Sequence, residues 1–109
     1  MKKVKIGTAG VDSGQLMVSD PCYVKDFINN EVDFDSKKND NSYSYNGACH
    51  QTLKNKNQGG ELGNGLGVVF STGIGDGSYP VYAYIGEIDG WGERVLKVEV
   101  DFNEHVLLK

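Results

Sequence analysis

The stretch Arg94-Val95-Leu96-Lys97-Val98-Glu99-Val100-Asp101-Phe102 decides the fold class. Leu96, Val98, Val100 and Phe102 recur at every second position, with Lys97, Glu99 and Asp101 between them. Side chains of an extended strand alternate between the two faces of its sheet, so the pattern predicts a strand with one buried and one wet face. A helix would scatter the four apolar residues around its surface.

Immediately upstream, Tyr79-Pro80-Val81-Tyr82-Ala83-Tyr84-Ile85-Gly86-Glu87-Ile88 is rich in β-branched and aromatic residues, and Asp89-Gly90 precedes Trp91. Asp-Gly tolerates positive φ at both turn positions, so the two runs read as an antiparallel hairpin. Pro80 has no N–H to give to a ladder and is expected to open its strand or lie on a sheet edge. Leu66-Gly67-Val68-Val69-Phe70-Ser71-Thr72 reads as a further strand bounded by glycines. Its expected partner is the next strand, through the turn at Gly75-Asp76-Gly77-Ser78. Near the start, Val4 and Ile6 alternate with Lys5, and Asp12-Ser13-Gly14 turns the chain into Gln15–Ser19, which reads as a first hairpin.

The middle carries weaker signals. Val24 to Asn30 fits one short helical turn or an irregular crossing, and Glu31 to Asn46 reads as an exposed loop. Tyr43 to Leu53 reads as a strand with a bulge at Asn46-Gly47. No internal repeat, heptad or dividing linker occurs, so residues 1–109 are expected to form a single domain. The expected architecture is mainly β: an antiparallel sandwich or partly open barrel of about five to seven strands, with at most one short helix.

Composition narrows the functional classes. With 39% hydrophobic and 24% charged residues the chain is that of a folded globular protein. No apolar run reaches signal-peptide length or the roughly 20 residues of a membrane span, so the expectation is a cytoplasmic protein without a membrane partner. Cys22 and Cys49 are expected to be free thiols. The net charge of -4 argues against an electrostatic footprint for duplex nucleic acid.

Several residues are candidates for a site. Ser19-Asp20-Pro21-Cys22-Tyr23 sets an acceptor, a rigid turn, a thiol and an aromatic ring side by side after a strand, where a loop presents polar groups from a rigid scaffold. The alternative for that segment is an Asp-Pro turn in which the carboxylate caps nearby N–H groups. In Gly73-Ile74-Gly75-Asp76-Gly77-Ser78-Tyr79, three glycines allow close backbone approach, and successive N–H groups suit an anion. The segment matches neither the phosphate loop nor the dinucleotide fingerprint. Arg94, the sole arginine, and Lys54 are the anion-binding candidates, and Tyr23, Tyr79 and Trp91 are candidates to stack on a base, with Trp91 also suited to cap the core. Cys49 and His50 are adjacent and lack zinc-ligand spacing, so no metal and no cofactor are expected. Asp20, Cys22 and His50 define the enzymatic alternative.

Val11-Asp12-Ser13-Gly14-Gln15-Leu16-Met17-Val18-Ser19-Asp20-Pro21-Cys22-Tyr23, Gly75-Asp76-Gly77-Ser78-Tyr79-Pro80-Val81-Tyr82 and the Arg94–Phe102 stretch together resemble a group of small uncharacterised phage and prophage proteins. Those proteins share a Ser-Gly…Asp-Pro element followed by a Gly-x-Tyr-Pro-Val strand. The resemblance implies a non-enzymatic binding module, with an anti-defence protein that sequesters a small host ligand, such as a cyclic nucleotide immune signal, as its concrete form. The expected ligand-binding set is Asp20, Cys22, Tyr23, His50, Lys54, Asp76, Gly77, Ser78, Tyr79, Trp91 and Arg94, with no catalytic residue among them. A homo-oligomer is expected, because β domains of this size often pair exposed edges. The alternative partner is a host protein held on a strand edge or a tyrosine-rich face.

Overall fold

A computed structural model describes residues 1–31, 35 and 40–103. Among these residues the element order is β1 (Lys2–Val11), β2 (Gln15–Ser19), a 3₁₀ turn (Pro21–Tyr23), α1 (Val24–Asn29), α2 (Tyr45–Lys54), β3 (Gly59–Leu62), β4 (Gly67–Ser71), β5 (Gly77–Ile88) and β6 (Gly92–Val100). Among the described residues the protein is mainly β, with six strands in two antiparallel three-stranded sheets, ordered β1-β5-β6 and β2-β4-β3. Neither sheet closes on itself. The two helices exceed the single short one expected from sequence. No helix among the described residues is long and apolar enough to cross a membrane.

Contacts divide the chain into two compact units: residues 1–14 with 73–109, and residues 15–72. In the first, the expected hairpin is present: β5 and β6 pair from Val81↔Val100 to Ile88↔Gly92, and the Trp91 N–H donates to the Ile88 carbonyl to close the turn. The long partner of β5 on its other side is β1, from Lys2↔Ile85 to Val11↔Gly77. Pro80 therefore lies within the central strand, a correction to its expected place. Its carbonyl accepts from Asp101 just past the end of β6, and N and O of one strand residue point the same way. The missing N–H thus faces the side where β6 has ended and removes no bond to β1.

Two further corrections concern pairing. β1 and β2 do not form a hairpin, because the Asp12–Gly14 turn carries the chain from one sheet to the other. β4 pairs with β2 and β3 rather than with β5. β3 falls on Gly59-Gly60, expected from sequence as turn glycines bounding a strand. Its Gly59 fits there because a Cβ would stand 2.6 Å from the Val69 carbonyl oxygen of β4, so the two backbones need a residue without a side chain.

The burial expected of the Arg94–Phe102 stretch is met only at its end. Val100 and Phe102 are half-buried, whereas Leu96 is 45% and Val98 56% exposed. β6 is the edge strand of its sheet, and it also carries a bulge: Val95 pairs with Ile85 and Lys97 with Tyr84, leaving Leu96 as the extra residue. Phe102 packs edge-on against Tyr79 with ring centroids 5.1 Å apart.

In the second unit, Tyr43, Ala48, Leu62 and Val69 form a buried cluster flanked by Met17, Phe27 and Leu66. Ser19 Oγ ties it together, donating to the Leu66 carbonyl at 2.8 Å and meeting the Tyr43 hydroxyl. The segment expected as a bulged strand is instead α2. Ser44 is extended and its hydroxyl accepts from the Gly47 N–H, a standard N-cap. Gly47 is required inside this helix because a Cβ would lie 2.0 Å from the Ser42 carbonyl oxygen. Of the loop expected over Glu31–Asn46, residues 32–34 and 36–39 lie outside the described residues, and Tyr45 and Asn46 belong to α2.

Candidate functional site

α2 packs on β3 and β4, and the face it turns toward β3 is polar. Gly47, His50, Gln51 and Lys54 recur at i, i+3, i+4 and i+7, which places them on one side of a helix. The last three, with Asn41, Asn55, Gly60 and Glu61, line a cavity of about 520 Å³. His50 is 1% exposed, while Lys54 is exposed at the cavity mouth and makes no ion pair among the described residues.

The walls are tied down by hydrogen bonds. Gln51 Nε2 donates to the Asp40 carbonyl at 3.0 Å, and Asn55 Nδ2 donates to Gln51 Oε1 at 3.3 Å. Asn41 offers its carbonyl to the Gly63 N–H at 2.8 Å, fixing the Asp40–Asn41 strap to the end of β3. Gly60 leaves room for this arrangement, since a Cβ there would stand 2.4 Å from Gln51 Oε1.

Asp40 anchors the strap from behind. Its carboxylate accepts from the Ser42 N–H at 2.9 Å, the Ser42 hydroxyl at 2.9 Å and Asn46 Nδ2 at 2.7 Å. Burial works to raise its pKa. The bonds from the Ser42 backbone, Asn46 and the Ser42 hydroxyl, with the nearby charge of His50, outweigh burial and hold the carboxyl below its ordinary range.

The residues singled out from sequence fall into four places. His50 and Lys54 come together in the cavity. Asp20, Cys22 and Tyr23 form the 3₁₀ turn of the same unit, where Asp20 accepts from the Cys22 N–H at 3.0 Å. That bond, followed by one from the Cys22 thiol, lowers the Asp20 pKa. The Asp20 carboxylate in turn raises the exposed Cys22 thiol by hydrogen bonding, with smaller additions from burial and charge. Such a thiol is held protonated, the opposite of what a nucleophile needs.

Asp76, Gly77, Ser78 and Tyr79 lie at the start of β5 in the other unit, where Tyr79 is fully buried and its hydroxyl donates to the Gly75 carbonyl at 2.7 Å. That ring is a core residue filling its own loop. Trp91 and Arg94 sit at the hairpin tip, roughly 36 Å of extended strand from Gly77. Trp91 is 67% exposed and so does not cap the core. Arg94 donates to the neighbouring Glu93 carbonyl.

Sequence reasoning missed Asn41, Gln51, Asn55, Gly60 and Glu61. The helical spacing of His50, Gln51 and Lys54 behind a serine cap was the signal that would have found Gln51. Among the described residues no three His, Cys, Asp or Glu side chains gather as a metal set.

The chain belongs to the DUF4241 family. The family model, described as a protein of unknown function, matches residues 2–105 and so spans both units. No curated protein and no solved structure matches the chain. The DUF4241 match assigns no chemistry to the cavity, whose character rests on its described lining residues: an ammonium, a carboxylate, an imidazole and three carboxamides, with no Phe, Tyr, Trp, Ser, Thr or Cys among them.

Proposed function

We propose that the protein is a non-enzymatic binding module whose α2–β3 cavity takes a small polar ligand of the nucleotide class. The observation that carries this reading is the cavity, whose volume of about 520 Å³ matches small-molecule sites and whose walls are held in place by their own hydrogen bonds. Lys54 supplies a charge for a phosphate, and Glu61 accepts from an N–H of a base. Asn41 and His50 add polar groups on the same walls. With no Phe, Tyr or Trp among the described lining residues, recognition runs through hydrogen bonds more than through stacking. Among the described residues the lining holds no hydroxyl or thiol, and with a Cys22 thiol kept protonated by Asp20 this favours capture over covalent catalysis.

The resemblance to phage and prophage proteins supports the specific form of this role, sequestration of a host nucleotide signal in an anti-defence setting. Calorimetric titration with a panel of linear and cyclic mono- and dinucleotides tests it. The expected result is saturable 1:1 binding of at least one member. Lys54→Ala weakens it about tenfold or more, the loss of one charge-assisted hydrogen bond. Silence across the panel, or binding indifferent to Lys54, refutes the proposal.

A further inference from the structure

The two edges of the β1-β5-β6 sheet are unlike. β1 carries Lys2, Lys3 and Lys5 and a bulge at Ile6, the usual guards of an edge strand. β6 carries Val95, Leu96 and Val98, which are 58%, 45% and 56% exposed, and no described strand pairs with its outer side. Its sequence is also self-complementary. When β6 is set antiparallel to a copy of itself with Val98 facing Val98, Lys97 faces Glu99 and Leu96 faces Val100. Both charged pairs then lie on one face of the sheet and the apolar residues on the other.

We propose that the outer edge of β6 is a homodimerisation edge, on which two copies of this chain pair antiparallel about a twofold axis at Val98 to make one six-stranded sheet. This surface is separate from the α2–β3 cavity and goes beyond the binding role. Lys97 and the bulge at Leu96 select the register. Lys97 forbids the alignment in which it would face itself, because like charges directly opposite are destabilising. The bulge at Leu96 ends regular pairing on one side and so limits the contact to Leu96–Val100 and its symmetry mate. Within each copy Glu99 is already held toward this face by Lys3 at 3.1 Å and by the Tyr84 hydroxyl at 3.2 Å. Lys97 lies over the Tyr84 ring at 4.5 Å. Both charges are thereby preorganised in the plane where the second copy's charges arrive. An isologous contact of this kind closes on itself and yields a dimer rather than a filament.

Sedimentation equilibrium at roughly 100 µM, above the micromolar range of a modest interface, tests the proposal. The wild-type chain is expected at twice 11.9 kDa. Lys97→Glu and Glu99→Lys each place like charges opposite one another and are expected to sediment as monomers with wild-type circular dichroism. An equimolar mixture of the two variants is expected to return to dimer, because the reversed charges then face each other correctly. Either variant alone also serves if the other folds poorly, since each by itself must abolish the dimer. A monomeric wild type, a dimer unchanged by charge reversal, or open-ended species from β6 pairing with the lysine-rich edge of β1 each overturns it.

Discussion

Two glycines of the second unit give unequal outcomes for the same substitution. Neither Gly47 nor Gly60 has positive φ, so alanine is free of backbone strain at both. Removing a glycine from the interior of a helix or strand ordinarily stabilises by about 0.5–1 kcal/mol. At Gly47 the new Cβ would meet Ser42 backbone, 2.0 Å from its oxygen, 2.9 Å from its nitrogen and 3.0 Å from its carbonyl carbon. Backbone cannot rotate away. Reaching ordinary contact at 3.4 Å requires displacement of roughly 1.4 Å. That displacement breaks the Ser42 bonds to Asp40 and Ser44, each contributing about 1 kcal/mol, and adds about 1–3 kcal/mol of overpacking. After the propensity gain is subtracted, Gly47→Ala loses about 2 kcal/mol or more. With about 2.1 cal/mol/K of unfolding entropy per residue, a loss of that size lowers Tm by roughly 9 °C. At Gly60 the new Cβ would meet the end of the Gln51 side chain at 2.4 Å, and a side-chain torsion relieves it. The Gln51 bonds to the Asp40 carbonyl and from Asn55 Nδ2 are lost, about 1 kcal/mol each and offset in part by the propensity gain, so Gly60→Ala costs about 1 kcal/mol. Thermal melts by far-ultraviolet circular dichroism separate the two. If Gly47→Ala melts at or above the wild type, or Gly60→Ala falls as far as Gly47→Ala, the account of α2 packing on the Asp40–Ser42 strap is wrong.

Other outcomes follow from the same structure. Because the folded-state pKa of Asp40 is lowered, its stabilisation is present above the ordinary carboxylate value near 4 and is lost as pH falls through the lowered value. Asp40→Asn should therefore flatten the acid limb of a Tm-against-pH curve, and an unchanged limb counts against the strap. Asp20→Asn removes the group that raises the Cys22 thiol, so Cys22 alkylation by iodoacetamide at pH 7.5, followed by mass spectrometry, should become faster; an equal or slower rate contradicts the hydrogen bond. Leu62→Ala, at a fully buried position in the second unit's core, should cost about 2–5 kcal/mol in a urea titration, and a loss below about 1 kcal/mol would mean that Leu62 is not core.

The parts of the fold legible in the sequence were those governed by neighbours in the chain. Asp89-Gly90 between two β-rich runs announced the β5–β6 hairpin, and Asp20-Pro21 announced the end of β2. Pairing was not legible, because β1 finds β5 across more than sixty residues and nothing in Val4 or Ile6 specifies that partner. α2 was misread for a different reason. Its patterned face is polar rather than apolar, so the hydrophobic period that reveals most helices is missing, and Asn46-Gly47 resembles a turn. Burial along β6 failed because β6 is the edge strand of its sheet: Val98 pairs regularly with Ala83 and is still 56% exposed. His50 and Lys54 were legible as chemically able side chains, whereas Asn41 and Glu61 reach the cavity from separate segments whose meeting depends on tertiary structure.

The interleaving of the two units bears on how the chain is made. Residues 15–72 are contiguous and can fold as soon as they emerge, whereas β1 must await β5, whose first residue is synthesised 75 positions after Lys2. At roughly 5–20 residues per second, β1 stays without its ladder for about 4–15 s on the ribosome. Lys2, Lys3 and Lys5, spaced along a nascent strand that also exposes Val4 and Ile6, repel other nascent copies during that interval. Replacing them with neutral residues would thus be felt first as a loss of soluble yield during translation, before any change in the finished molecule.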